Sequence, residues 1–191
     1  NMAFIKIFNF EESSGLLKKE YEKGMRRAGK IWKILSIQSQ TPQILQDSMR
    51  LYGSTMFGNS KLTRFDRELL AVVTSISNEC EYWITAHLYD LRSETEDQKL
   101  IDEVANDWKN SSLSDKHIAL CKFAEKLTMT PGKMNKKDIE SLKAFEFNES
   151  EISEIVQVVS YFNYINRVAD GLGLESEEFI DKLGYKKNID E

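Results

Sequence analysis

Apolar residues recur along this chain at spacings of three and four, the period of a helix buried along one face. Thr41-Pro42 reads as an N-cap followed by proline at the first helical position, and Ile44, Leu45, Met49 and Tyr52 then share one side of a helix predicted to end near Gly58. Thr63 and Asp66 mark the next start. The run behind them (Leu69, Leu70, Val72, Val73, Ile76) is apolar enough to be buried on most sides as far as about Asn78. A further helix is predicted from near Cys80 to Leu91, and after a polar, exposed stretch at 93–97 come Ile101, Val104, Ala105 and Trp108 at amphipathic spacing.

Ser114 opens a segment bearing Ile118, Leu120, Cys121, Ala124 and Leu127, which Pro131-Gly132 breaks. Asn135 with Asp138 caps a shorter helix through Leu142, and Asn148 with Glu151 caps the longest one. That last helix sets Ile152, Ile155, Val156, Val159, Phe162, Ile165 and Ala169 on one broad face, stops at Gly171-Leu172-Gly173, and is the expected central helix of the core. No alternating run bounded by hairpin turns interrupts the pattern. The fold class is therefore all-α, a multi-helical bundle of about nine or ten helices. We expect one compact unit made of a helical extension (1–38), a main domain (39–185) and a short tail (186–191).

Composition agrees. With 191 residues, 41% hydrophobic and 30% charged, the chain can bury a core without disulfide or metal staples. Its net charge of -5 is mild and its cations are interspersed with acids, so neither nucleic acid nor an anionic membrane surface is an expected partner. No apolar run approaches the roughly 20 residues of a membrane span, and the first ten residues lack the apolar core of a signal peptide. Two cysteines make no disulfide framework, so we expect a reducing, cytoplasmic setting. No zinc, iron–sulfur or phosphate-loop spacing occurs, His117 stands apart from any metal-like spacing, and no metal or cofactor is expected.

The candidate chemistry is concentrated in twenty residues. If Cys80 starts a helix, His87 lies seven residues on, about two turns away and nearly on the same face, with Trp83 between them. A cysteine at a helix N-terminus faces unsatisfied N–H groups that favour thiolate, an effect that Glu79 and Glu81 oppose. Glu68 sits about three turns earlier, where an antiparallel return of the next helix can bring its carboxylate beside both. Glu68, Cys80 and His87 are thus candidate catalytic residues, and Tyr82 and Trp83 candidate pocket walls. From composition alone, each of the three also reads as structural: a small buried hydrophobe, a satisfied interior histidine, a first-turn acid. Cys121, on an apolar face, reads as buried and structural, and the polar residues Asn163, Asn166, Arg167 and Asp170 read as ties between helices.

These residues, with Met56-Phe57-Gly58, Phe123 to Thr128 and Asn163 to Gly173, resemble the carboxymuconolactone decarboxylase and alkylhydroperoxidase D superfamily, especially its peroxidase-related branch. The resemblance covers most of the chain. It implies an alkylhydroperoxidase D-like bundle, a homo-oligomer (dimer or hexamer), and a site in which Glu, Cys-x-x-Cys and His cooperate. Glu68, Cys80 and His87 match three of those positions, whereas Trp83 stands where the pattern has its second, peroxide-attacking cysteine. A tryptophan cannot be a sulfur nucleophile, and no local disulfide can form.

Three readings follow. The first is an antioxidant thiol oxidoreductase, weakened by the lost cysteine, acting on a small-molecule substrate such as a hydroperoxide and needing an external thiol reductant. The second is a decarboxylase-type acid–base enzyme, with His87 and Glu68 moving protons on a small carboxylated or lactone substrate. The third is a non-catalytic oligomeric member whose pocket Trp83 fills. The first requires an accessible, thiolate-like Cys80, the second a pocket around His87, and the third neither.

Overall fold

The computed structural model describes residues 3–180. Among them nine α-helices follow in order: α1 (Gly15–Ala28), α2 (Lys33–Ile37), α3 (Pro42–Phe57), α4 (Arg64–Ser77), α5 (Glu81–Ser93), α6 (Gln98–Asp107), α7 (Asp115–Met129), α8 (Lys136–Lys143) and α9 (Glu149–Gly171). Short 3-10 turns at Trp108–Asn110 and Pro131–Lys133 complete the pattern, and no strand occurs among the described residues. No described helix is long and apolar enough to cross a membrane. The proposed tail at 186–191 lies outside the described residues.

Local chemistry explains most boundaries. Thr63 and Asp66 satisfy each other's backbone N–H groups in a capping box at the start of α4; Asn135 with Asp138 and Asn148 with Glu151 do the same for α8 and α9. Thr41 precedes α3 as expected, but its side chain makes no cap, and Pro42 removes one of the N–H groups a cap would serve.

The helix enclosed on most sides is α4, not α9. Every residue from Asp66 to Ser75 is buried, because α5, α7 and α9 all pack against it. Helix α9 keeps a polar stripe in solvent and buries Ile152, Ile155, Val158, Val159, Phe162 and Ile165. Leu69, Leu70, Ile84, Leu88 and Phe162 are fully buried, and each such side chain stabilises the fold by about 1.5–3 kcal/mol.

Burying α4 also buries charge, and each charged group there has partners. Arg67 donates to the carbonyls of Thr55, Gly58 and Leu62 and pairs with Glu154 at 3.0 Å, tying α4 to the end of α3 and to α9. Asp66 meets His117 Nε2 at 3.1 Å, and Ser114 Oγ meets His117 Nδ1 at 3.0 Å, so the first turns of α4 and α7 are tied together. On α9, Asn166 bonds Ser75, and Asn163 bonds Thr128 and Asn78. These are inter-helix ties.

The N-terminal segment packs into the same core. Tyr21, Leu35 and Ile37 are buried within it, and Tyr21 donates its hydroxyl to the Phe8 carbonyl. The loop and helix at 32–38 thereby come to form one wall of the cavity described next.

Candidate active site

The site depends on one sharp reversal. Glu79 adopts φ 57°, a left-handed conformation that usually belongs to glycine at a helix end. Its N–H reaches the Ile76 carbonyl and the Cys80 N–H reaches the Ser75 carbonyl, each at 3.0 Å, closing α4 in a Schellman motif. Cys80 becomes the N-cap residue of α5, and α5 returns along α4.

This return sets His87 beside Glu68, with Nδ1 2.5 Å from Oε2. Both side chains are buried, at 1% and 0% exposure. A carboxylate can only accept, so Nδ1 carries a proton, and in the neutral ring Nε2 keeps the lone pair. The other oxygen of Glu68 is in an ion pair with Arg64, one turn earlier on α4. Arg64 also donates to the Met56 carbonyl at 2.9 Å, and its guanidinium lies 3.9 Å above the Phe57 ring. Aromatic rings hold the imidazole: Trp83 stacks on it at 5.1 Å and 17°, and Phe162 meets it edge-on at 4.5 Å. Trp83 is itself fixed by donating Nε1–H to the Ile165 carbonyl at 3.2 Å.

Beside this pair opens a cavity of about 370 Å³. Trp32, Tyr52, Phe57, Tyr82, Trp83 and Tyr161 form aromatic walls; His87, Arg64, Asp90, Glu94, Arg27 and Gln38 provide the polar groups. His87 Nε2 is buried and has no hydrogen-bond partner. Burial pushes the Tyr52 phenol well above its ordinary range, reinforced by the charges of Glu68 and Asp90. Tyr52 therefore remains a protonated donor, next to Arg64. The Asp90 carboxyl is also raised, chiefly by burial; His87 and Arg64 oppose the shift and Glu68 adds to it.

Cys80 lies elsewhere. It is 0% exposed, is not among the cavity-lining residues, and its Sγ is 3.9 Å from the Asn166 carbonyl on α9. The helix-end N–H groups of Trp83 and Tyr82 do favour its thiolate, but burial outweighs them and pushes the thiol well above its ordinary value, with the Asp170 carboxylate adding to the rise. Cys121 is likewise buried, and burial raises its thiol. The structure thus brings His87, Tyr82 and Trp83 to one cavity, sets Glu68 behind His87 without reaching the cavity wall, and leaves Cys80 in the packed interior.

Glu68, His87 and Asp90 place ligand-type atoms within 4.8 Å of one another, close enough to chelate a cation. Two features weigh against that use: Arg64 already supplies Glu68 with positive charge, and Nδ1 is committed to Glu68. Hydrogen bonding between Glu68 and His87 accounts for the arrangement without a cation.

Sequence reading missed Arg64, Asp90, Tyr52, Gln38 and Arg27. Arg64 stands four residues before Glu68 and Asp90 three after His87, so helical spacing alone could have found those two. The others arrive through tertiary packing.

Residues 42–126, which hold Glu68, Cys80 and His87, match the family model for carboxymuconolactone decarboxylase. Over that stretch, somewhat less than half of its length, the chain is similar to the carboxymuconolactone decarboxylase family. Solved structures of similar fold span nearly its whole length. An uncharacterized peroxidase-related protein from Ralstonia eutropha, an alkylhydroperoxidase AhpD core, superposes with a TM-score of 0.86 at 20% identity, covering 93% of this chain and 94% of that one. Another, from a Silicibacter species, gives 0.80 at 26% identity over 87% of this chain and 88% of that one. A cysteine-to-alanine variant of the debrominase Bmp8, in complex with 2,3,4-tribromopyrrole, gives 0.76 at 13% identity over 92% of both chains. No curated protein matches the chain. These likenesses carry the fold and not one reaction, since a debrominase shares the architecture.

Proposed function

We propose that the protein is an acid–base enzyme of the decarboxylase type, in which His87, oriented by Glu68, moves a proton on a small carboxylated or lactone substrate held in the aromatic cavity. One observation carries this reading: His87 lines the cavity and its Nε2 is buried without a partner, whereas Cys80 is absent from the cavity walls. A thiol peroxidase needs an accessible thiolate and a second thiol, and Cys80 is buried with Trp83 three residues on. A debrominase of similar fold is crystallised with a small ring, 2,3,4-tribromopyrrole, which supports a substrate of that size.

The chemistry balances with these groups alone. On a carboxylated lactone or β-keto acid the C–C bond to the carboxylate breaks, its electron pair enters the neighbouring carbonyl as an enolate, and carbon dioxide leaves. The neutral His87 ring takes the carboxyl proton of the entering acid on Nε2, and the imidazolium so formed, its charge stabilised by Glu68, gives that proton to the carbon and returns to its starting state. Arg64 and the Tyr52 hydroxyl line the same cavity and would stabilise the developing oxyanion. The aromatic walls lower the local polarity, which strengthens each of these interactions.

The test is turnover of a panel of β-keto acids and carboxylated lactones in deuterated water, followed by NMR. Wild type and Cys80→Ser should release carbon dioxide and place deuterium on the product carbon, while His87→Gln should be slower by about 10²–10⁴-fold. Activity lost in Cys80→Ser and kept in His87→Gln would overturn the reading and restore the thiol.

A further inference from the structure

The cavity contains a second buried polar atom without a partner, and it constrains the ligand. Gln38 follows the last turn of α2, and its side chain, 4% exposed, lines the cavity. Its Nε2 donates to the Ile34 carbonyl at 3.0 Å, which determines the orientation of the amide: a flipped group would set oxygen against oxygen. Oε1 is therefore an acceptor, and it is buried with no donor. A buried acceptor left unpaired is costly, and a ligand that supplies an N–H or O–H removes the cost.

The rest of the cavity supplies two further conditions. Its faces are rings, with Trp32, Tyr52, Tyr82, Trp83 and Tyr161 on the walls, which suits a flat molecule. Arg64 from α4 is already paired with Glu68, and Asp90 and Glu94 also line the cavity, so the cationic group left to meet an anion is Arg27 from α1, for which no ion pair is seen among the described residues.

We infer that the cavity takes a small, planar ring acid that carries a ring N–H or hydroxyl, that this group donates to Gln38 Oε1, and that Gln38 is thereby a specificity-determining residue. The inference rests on the reading of this cavity as the substrate site, and it narrows the substrate from any small carboxylated compound to one with a donor beside the ring. A ring with only acceptors leaves Oε1 unpaired and is rejected for that reason. His87 needs no donor from the same group, so the two polar atoms make separate demands on the ligand.

The experiment compares pyrrole-2-carboxylate with furan-2-carboxylate, which share ring size and carboxylate and differ in N–H against O. Binding to the full chain is read by quenching of tryptophan fluorescence, since Trp32 and Trp83 line the cavity. We expect the pyrrole acid to bind about tenfold tighter. N-methylpyrrole-2-carboxylate, with its donor blocked, should bind like the furan acid or more weakly, which tests the point in wild type without any variant. Gln38→Met, matched in length and lacking the acceptor, should bring the pyrrole-to-furan ratio close to one. Equal binding of the pyrrole and furan acids to wild type would mean that water satisfies Gln38; it would overturn the donor requirement and leave the His87 reaction standing. Binding of neither acid would overturn the inference and the cavity's role as an anion site together. A preference that persists in Gln38→Met would overturn the assignment to Gln38.

Discussion

Replacing Glu68 with glutamine tests the catalytic pair most directly, because the amide cannot serve both of its neighbours. In the wild-type site one carboxylate oxygen accepts from His87 Nδ1 and the other is paired with Arg64. If the oxygen of the introduced amide turns toward His87, its NH2 group faces the Arg64 guanidinium, donor against donor. If the NH2 turns toward His87 instead, it demands a lone pair on Nδ1, the ring proton moves to Nε2, and the base facing the cavity is lost. Repulsion from Arg64 disfavours the first orientation, so the second, with its loss of proton transfer, is expected. An imidazole forced into the wrong tautomer by an acid-to-amide change has cost a Ser-His-Asp protease ~10⁴ in kcat, so a loss of about 10²–10⁴ is expected here. Arg64 also loses its charge partner, which destabilises the fold by about 1–3 kcal/mol; the lower end is expected because its side chain is 23% exposed and still donates to Met56. The assay pairs substrate turnover with thermal melts and with nitrogen NMR of the histidine ring. Glu68→Gln turning over at nearly the wild-type rate, or keeping a proton on Nδ1 with a free Nε2 and still losing activity, would refute the reasoning.

Three other changes probe separate parts of the structure. Cys80→Ser should leave turnover within about twofold of wild type, and both cysteines, 0% exposed, should react with a maleimide only as the protein unfolds; rapid labelling of the native protein would contradict this. Asp90→Asn should raise the melting temperature at neutral pH and not below pH ~4. A carboxyl raised in the folded state binds more protons folded than unfolded above 3.8, so wild-type stability falls as pH rises through the raised value; a melting-temperature difference constant from pH 3.5 to 8 would count against it. Glu79→Gly relieves a left-handed backbone and should stabilise by about 1 kcal/mol, raising the melting temperature by ~2–4 °C; a lower melting temperature would show that the Glu79 side chain matters more than the strain.

The helices were legible because each carries its own punctuation. Capping pairs at Thr63, Asn135 and Asn148, Pro42 at a first turn, and Gly173 at φ 72° mark boundaries that local chemistry controls. What periodicity could not rank was centrality. The apolar face of α9 is longer, but α4 is buried because three helices happen to converge on it. The site was legible in part for the same reason. Glu68 and His87 could be paired from the short reversal between two helices, whereas the cavity wall at Trp32, Ile34 and Gln38 comes from a segment that sequence patterning set aside as an extension. The burial of Cys80 was not legible because its position at a helix start is visible in sequence and its packing against α9 is not.

Trp83 links these observations. Cys80, Trp83 and His87 stand at steps of three and four on α5, so the residue between thiol and imidazole decides whether the two can share a space. A second cysteine there would be small and could pair with Cys80; the indole instead stacks on His87 and is anchored to Ile165 on α9. One substitution in the motif therefore has two physical consequences. It removes the sulfur that a dithiol cycle requires, and it supplies a flat support that keeps the imidazole in plane with Nε2 directed away from Glu68. The carboxylate–imidazole half of the relay does not depend on sulfur, and proton transfer is the chemistry that the remaining groups can perform.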